Sequence, residues 1–302
     1  MYLPDLVGEF ANKSGLPAKF GVRRDVTRTG EEFLHLDHPV ALARFIAFAK
    51  YRAQKVHQVE VYLRGQVANY SGMVPSLFRG DSQERQQRVD AYGAMLAAVQ
   101  RLFGQGRFRR SNVGALLQHY GLNTPWIDLV DNIYTAVWFA THRYIMLNPR
   151  EGYYAKSDES HGWLYLIAAS PQMYGGTLHS IDLRKHHSSM NVRLHAQHGL
   201  SAAAQEDGAE MKEFDYRSSV VARVRIPNNT RFVLTGRLAS PSFLFPPIDI
   251  DESYRILLDD RLDQALADVE TTFNLADRTL GRVVRMRYRA RKRNSPDHNV
   301  RA

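Results

Sequence analysis

The 302-residue sequence contains no cysteine. That absence excludes disulfides, thiolate zinc centres and a cysteine nucleophile. Long apolar runs are also missing, and no segment approaches the roughly eighteen consecutive apolar residues of a membrane span. The opening stretch, MYLPDLVGEFANK, carries acids early and no apolar run of signal-peptide length. A cytoplasmic, soluble protein with no membrane attachment is expected. The chain has no Gly-x-Ser-x-Gly elbow, no phosphate-cradling P-loop and no GxGxxG turn, which weighs against the common hydrolase, kinase and dehydrogenase classes. His186, His187, His195 and His198 lie close together but lack an acidic partner or a metal-ligand spacing on a defined helix, so no metal is expected.

Apolar residues make up 44% of the chain, enough for a proper core. The formal charge of +9 is unevenly placed: residues 278–302 hold nine Lys or Arg against the single acid Asp297, and so supply +8 of it. Such a tail suits either a phosphate-contacting arm or a solvated end.

The densest patterned stretch runs from Leu116 to His142. Its apolar helix stops at Gly121, a residue that tolerates the left-handed conformation. Thr124-Pro125 disfavours helix, and Trp126-Ile127 read as a short buried strand. Ile133, Ala136, Val137 and Ala140 then recur at helical spacing, with Asp128 or Asp131 available as N-cap. Upstream, Pro39 to Gln54 is an amphipathic helix, Gln58 to Leu63 alternates as a strand, and Ser82 to Phe103 is a long polar helix. Downstream, Asn148 to Ser160 and His195 to Gly208 read as loops, whereas Trp163 to Ala169, Val220 to Ile226 and Arg231 to Leu234 read as strands. A last helical region spans about Asp251 to Phe273. Helices and strands mixed in this way indicate an α+β fold.

Several residues can carry chemistry. Arg64 follows a strand and precedes Gly65, whose flexibility allows a tight turn, so its planar fork can reach a phosphate or carboxylate. Arg79, also followed by glycine, is a second basic point. His119 and Tyr120 can hydrogen-bond or stack on a ligand ring, or equally be core residues. Asp128 either caps a helix or binds substrate. The basic loop Arg107-Phe108-Arg109-Arg110 offers cations to a nucleic-acid backbone and a ring for base stacking.

Together these residues resemble the FRG domain. Tyr62-Leu63-Arg64-Gly65-Gln66 matches its aromatic-or-apolar-Arg-Gly-Gln element, and Pro75 to Arg79 its Pro-Ser-Leu-Phe-Arg element. His119 to Asp128 and Ala136 to Ala140 match its hallmark, and Asn191, Arg193, Gln197 and Gly199 a later Asn-x-Arg and Gln-x-Gly pair. The resemblance covers about residues 56–265, between a helical lead-in of residues 1–55 and a helix end and basic tail at 266–302.

A fainter resemblance links the chain to arginine-type ADP-ribosyltransferases. Arg64-Gly65 stands where that family has its Arg-Gly strand, and Asp128 lies eight residues before Ala136, in the register of the family's first serine. Asp128 and Val130 replace two serines, and the family's Glu-x-Glu falls on Val221-Ala222-Arg223. The resemblance implies an ADP-ribosyltransferase-like fold, with small sheets forming a cleft that binds NAD as substrate. It implies a cofactor-binding set of Arg64, Gly65, Gln66, Arg79, His119, Tyr120, Thr124 and Asp128. The implied catalytic set is Arg64, Asp128, Gln197 and Glu213, with Glu206 and Glu210 open as alternatives to Glu213. A toxin or anti-phage effector that modifies nucleic acid and is restrained by an antitoxin is the implied biology. A non-catalytic nucleic-acid-binding module and an NAD glycohydrolase stay open beside it.

Overall fold

The computed structural model describes residues 5–13, 15–16, 18–70, 72–80, 82–103, 112–148, 151–170, 178–204, 214–235, 239–247, 250–275 and 285–286. The chain opens with α1 (Leu6–Lys13), β1 (Val22–Val26), β2 (Glu32–Leu36) and α2 (Pro39–His57). Next come β3 (Glu60–Gln66), α3 (Ser82–Phe103), α4 (Val113–His119), β4 (Ile127–Val130) and α5 (Ile133–Thr141). The hairpin β5 (His142–Asn148) and β6 (Glu151–Lys156) leads into β7 (His161–Ser170) and β8 (Leu178–Asp182). Two short helices, α6 (Leu183–His186) and α7 (Val192–Ala196), precede β9 (Gly199–Ala203) and β10 (Val220–Pro227). The rest comprises α8 (Thr230–Thr235), α9 (Pro241–Leu244), α10 (Glu252–Leu257), α11 (Asp260–Thr272) and β11 (Arg285–Met286). The fold is mixed α+β.

Eight strands form one sheet in the order β1-β2-β10-β7-β3-β4-β9-β8, and β8 also pairs with β7. That extra pairing closes β7, β3, β4, β9 and β8 into a barrel. Because side chains alternate across a strand, each wall has two destinations. Tyr62, Ile127, Leu129, Tyr165, Ile167, Leu200 and Ala202 share the barrel's core. Their neighbours Val61, Leu63, Val130, Leu164 and Leu166 pack outward with α2 and α5.

Helix α5 lies unusually close to the sheet. A Cβ on Gly65 would fall 2.0 Å from the Ala136 carbonyl oxygen, and one on Gly162 would fall 2.2 Å from that of Ala140. The expected turn at Gly65 is therefore corrected: β3 continues through Gln66, and the glycine admits a helix backbone. Asn132 caps α5, accepting from the Tyr134 and Thr135 N–H groups. Neither aspartate caps it: Asp131 pairs with Lys50, and Asp128 belongs to β4.

Other expectations also change. The stretch expected as a loop from Asn148 to Ser160 contains strand β6 at Glu151–Lys156 and, among the described residues, is a loop only at 157–160; Tyr144 and Tyr154 pair across β5 and β6 with ring centroids 5.2 Å apart, a contact that stabilises a hairpin. Within the stretch 195–208 expected as an exposed loop, α7 runs to Ala196 and β9 takes Gly199–Ala203 with every residue buried, while residues 205–208 lie outside the described residues. The small side chains of β9 suit a barrel wall packed on both faces. Arg231–Leu234 is helical, started by the Asn229 side chain, which accepts from the Phe232 N–H, and anchored by buried Phe232. The last helical region is two helices, with Asp259 capping α11. The N-terminal 55 residues supply β1 and β2 as well as helices. The second sheet, β11-β6-β5, is small, whereas the first is large, which corrects the expectation of small sheets only. Among the described residues no helix is long and apolar enough to cross a membrane.

Candidate functional site

A cavity of about 410 Å³ lies where β3 and β4 meet the β5–β6 hairpin and α7. Its wall takes Leu63 to Val67 from the end of β3, Asp128 to Val130 from β4, and His119 from the end of α4. Phe139, His142, Arg143, Tyr144, Tyr154, Arg193 and Gln197 complete it, with Tyr70 at the edge.

The Arg64 Nη1 donates to the Asp128 carbonyl oxygen at 2.6 Å, which ties the first arginine to the neighbouring strand. Its Nε is buried and has no hydrogen-bond partner. Burial lowers its pKa, opposed by the charge of Asp128, but an arginine keeps its proton. The His119 Nδ1 lies 3.5 Å from Asp128 Oδ1, an ion-pair separation longer than a good hydrogen bond. Asp128 is 40% exposed at its side chain, yet its Oδ1 is buried, so the carboxylate shows one edge to His119 and the rest to the cavity. Burial alone would raise the Asp128 pKa; the His119 contact and the charges of Arg64 and Arg193 hold it below the usual carboxylate value. Burial keeps His119 neutral by lowering its pKa. Backbone packs tightly here as well: a Cβ on Gly199 would come within 3.0 Å of His119 Cε1.

Arg193 is the feature that sequence reasoning undervalued. It is 6% exposed, and its guanidinium lies 4.9 Å from the Phe245 ring centroid, 5.1 Å from Tyr120 and 5.4 Å from Tyr254. Nη1 donates to the Tyr254 hydroxyl at 2.6 Å, and Nε has no partner. Asp251, 1% exposed, braces this group by accepting from the Tyr120 hydroxyl, the Arg193 N–H and the Tyr254 N–H. Phe245 also stacks on Tyr154 at 4.7 Å, which joins the cage to the hairpin wall. The Tyr144 hydroxyl is buried with no partner, and burial pushes its pKa up to about 12. The Asn-x-Arg element was the one sequence signal for Arg193; its cage comes from distant segments.

Of the expected site residues, Arg64, Gly65, Gln66, His119, Asp128 and Gln197 meet in this cavity. Gln197 is buried and donates to the Leu244 carbonyl at 2.7 Å, which secures α9 beside the site. Three others do not line it. Tyr120 turns to Asp251 and supports Arg193 from behind. Thr124 is buried, donating to the Gln118 side chain and accepting from the Trp126 N–H, so it fixes the turn before β4. Arg79 donates to the Val74 carbonyl in its own loop. Glu206, Glu210, Glu213 and the Arg107–Arg110 loop lie outside the described residues.

Residues 59–146 match the family model of the FRG domain. The chain carries an FRG domain. No curated protein and no solved structure matches it. The FRG match holds Arg64, His119, Asp128, Phe139 and Tyr144, but Tyr154, Arg193 and Gln197 come from beyond its end. The cavity is therefore completed by chain outside the matched FRG segment.

Buried His119 and half-buried His187 set a pH dependence. Burial pushes His187 down to about 4 and also lowers His119, so below about 6.5 the unfolded chain binds protons that the folded chain does not, for His187 down to about 4. Stability therefore rises with pH through that window and falls on acidification. Asp128, lowered instead from the carboxylate value, adds stability that is lost only at still lower pH. The urea midpoint is expected to drop between about pH 7 and about pH 5, with a smaller drop in His187→Asn. An unchanged midpoint would contradict neutral histidines at 119 and 187.

Proposed function

We propose that this FRG-domain protein is an NAD-dependent ADP-ribosyltransferase that uses the cavity as its NAD site. One observation carries this reading: buried polar atoms without partners, on Arg64, His119, Tyr144 and Arg193, converge on one cavity beside Asp128. Buried donors and acceptors are normally satisfied, so a concentration of exceptions marks a place where a ligand supplies the missing partners. The arginines suit phosphate oxygens, and Phe139, Tyr144 and Tyr154 offer faces to a base or nicotinamide ring. Asp128, held ionised, suits the positive charge that develops on the ribose as the C1′–N bond breaks. The electron pair of that bond leaves with nicotinamide, C1′ becomes oxocarbenium-like, and an acceptor oxygen or nitrogen bonds to C1′ and gives up its proton.

A nucleic-acid acceptor, guided by Arg107, Arg109, Arg110 and the basic tail, fits the charge distribution. A toxin or anti-phage role, with a partner that restrains it, is the biology that the FRG resemblance suggests for such an activity. A non-catalytic nucleic-acid-binding module is the second reading, favoured because Asp128 is the only carboxylate among the described lining residues. Incubation with labelled NAD and, separately, RNA, single-stranded DNA and a protein extract tests both. Label transferred to one fraction and lost in Asp128→Asn supports the transferase. Salt-sensitive nucleic-acid binding with NAD untouched supports the module, and free ADP-ribose as sole product would indicate an NAD glycohydrolase.

A further inference from the structure

Arg64 and Arg193 share an unusual position. Neither guanidinium has a described carboxylate within ion-pair distance, and each keeps a buried Nε without a partner. A buried cation without a counter-ion is costly, and removing charge from water is offset only in part by aromatic faces. The cavity lining offers these two cations one carboxylate, Asp128, and Asp251 behind Arg193 has its oxygens taken by the Tyr120 hydroxyl and by the Arg193 and Tyr254 N–H groups. Arg143 adds a third positive group at the wall, although it pairs with Asp158 at 2.6 Å.

We propose that Arg64 and Arg193 form a two-guanidinium clamp that selects ligands bearing two adjacent phosphates, with Arg193 the residue that distinguishes a diphosphate from a monophosphate. This deepens the NAD reading and rests on the same cavity. The cage explains why Arg193 serves: three rings and the Tyr254 hydroxyl fix one edge of its planar fork, and the remaining edge keeps Nε for a ligand. A monophosphate satisfies one guanidinium and leaves the other uncompensated. A diphosphate supplies an anionic oxygen to each. Lysine would restore charge at this position but has no planar fork to lie between the rings and present a second edge. The aromatic side of the cavity then meets whatever the diphosphate carries.

Calorimetric titration of the full chain with adenosine, AMP, ADP and inorganic pyrophosphate tests the clamp. ADP is expected to bind about tenfold or more tighter than AMP, with pyrophosphate binding and adenosine weakest, since each charge-assisted phosphate contact contributes on that scale. Arg193→Lys should bring the ADP-to-AMP ratio close to one while the apo melting temperature shows the fold retained. Equal affinities for AMP and ADP in the wild-type chain, or a ratio unchanged in folded Arg193→Lys, would overturn the clamp. The wild-type comparison decides the matter even where the variant does not fold. ADP selectivity without nicotinamide release would keep the clamp and end the transferase reading; nicotinamide release without ADP selectivity would do the reverse.

Discussion

Gly65→Ala is expected to destabilise the protein by at least about 3 kcal/mol, at the upper end of what overpacking does. The new Cβ would sit 2.0 Å from the Ala136 carbonyl oxygen and 2.8 Å from the Ala140 nitrogen. Both atoms are helix backbone, which cannot rotate away as a side-chain tip does. Either α5 must retreat from β3 or the variant must unfold. Retreat would also withdraw Phe139 from the cavity wall, so binding should fall with stability. Gly93→Ala is the control: it lies inside α3 with nothing within 4 Å of its added Cβ, and should stabilise by about 0.5–1 kcal/mol. Urea unfolding of both variants checks the pair. A Gly65→Ala change below about 1 kcal/mol would mean that α5 does not rest directly on β3.

Arg64→Met is expected to separate binding from stability. The variant loses one hydrogen bond, to the Asp128 carbonyl, but also relieves the burial of an unpaired charge, so the melting temperature of the free protein should change little. Binding should weaken about a hundredfold or more, the usual consequence of removing one partner of a desolvated charge pair. Differential scanning fluorimetry with increasing NAD reads both effects together. The wild type should gain melting temperature with NAD and Arg64→Met should gain none. A variant that melts far lower yet still responds to NAD would make Arg64 a structural arginine.

The legible part of the site was the part written in neighbouring residues. Arg64-Gly65-Gln66 and the two ends of the His119 to Asp128 run stand in short motifs, and Arg64, Gly65, Gln66, His119 and Asp128 meet in the cavity. Even there, the reason for Gly65 was hidden, because its need arises from Ala136 and Ala140 in another element. Tyr120 and Thr124 show the opposite failure: they sit in the same run, but their side chains turn to Asp251 and Gln118 instead of the cavity. Arg193 was visible, but its cage draws on Tyr120, Phe245 and Tyr254, which no local pattern joins. The fold repeats this division. Helices α2 and α3 and strand β10 follow their local periodicity. Strand β9, Gly-Leu-Ser-Ala-Ala, has weak strand propensity and is a strand because closure of the barrel places it between β4 and β8. The β5–β6 hairpin likewise depends on tyrosines that pack across strands and against Phe245.

The most direct measurement is nicotinamide release from NAD, followed chromatographically for the wild-type chain and for Asp128→Asn, with any inhibitory partner removed. Asp128→Asn keeps the side chain's shape and removes the one carboxylate among the described residues of the cavity. Steady release by the wild type, reduced about a hundredfold or more in the variant, is the result expected if Asp128 stabilises the developing ribose charge. Wild-type protein that is folded, binds no NAD and releases no nicotinamide would contradict the account.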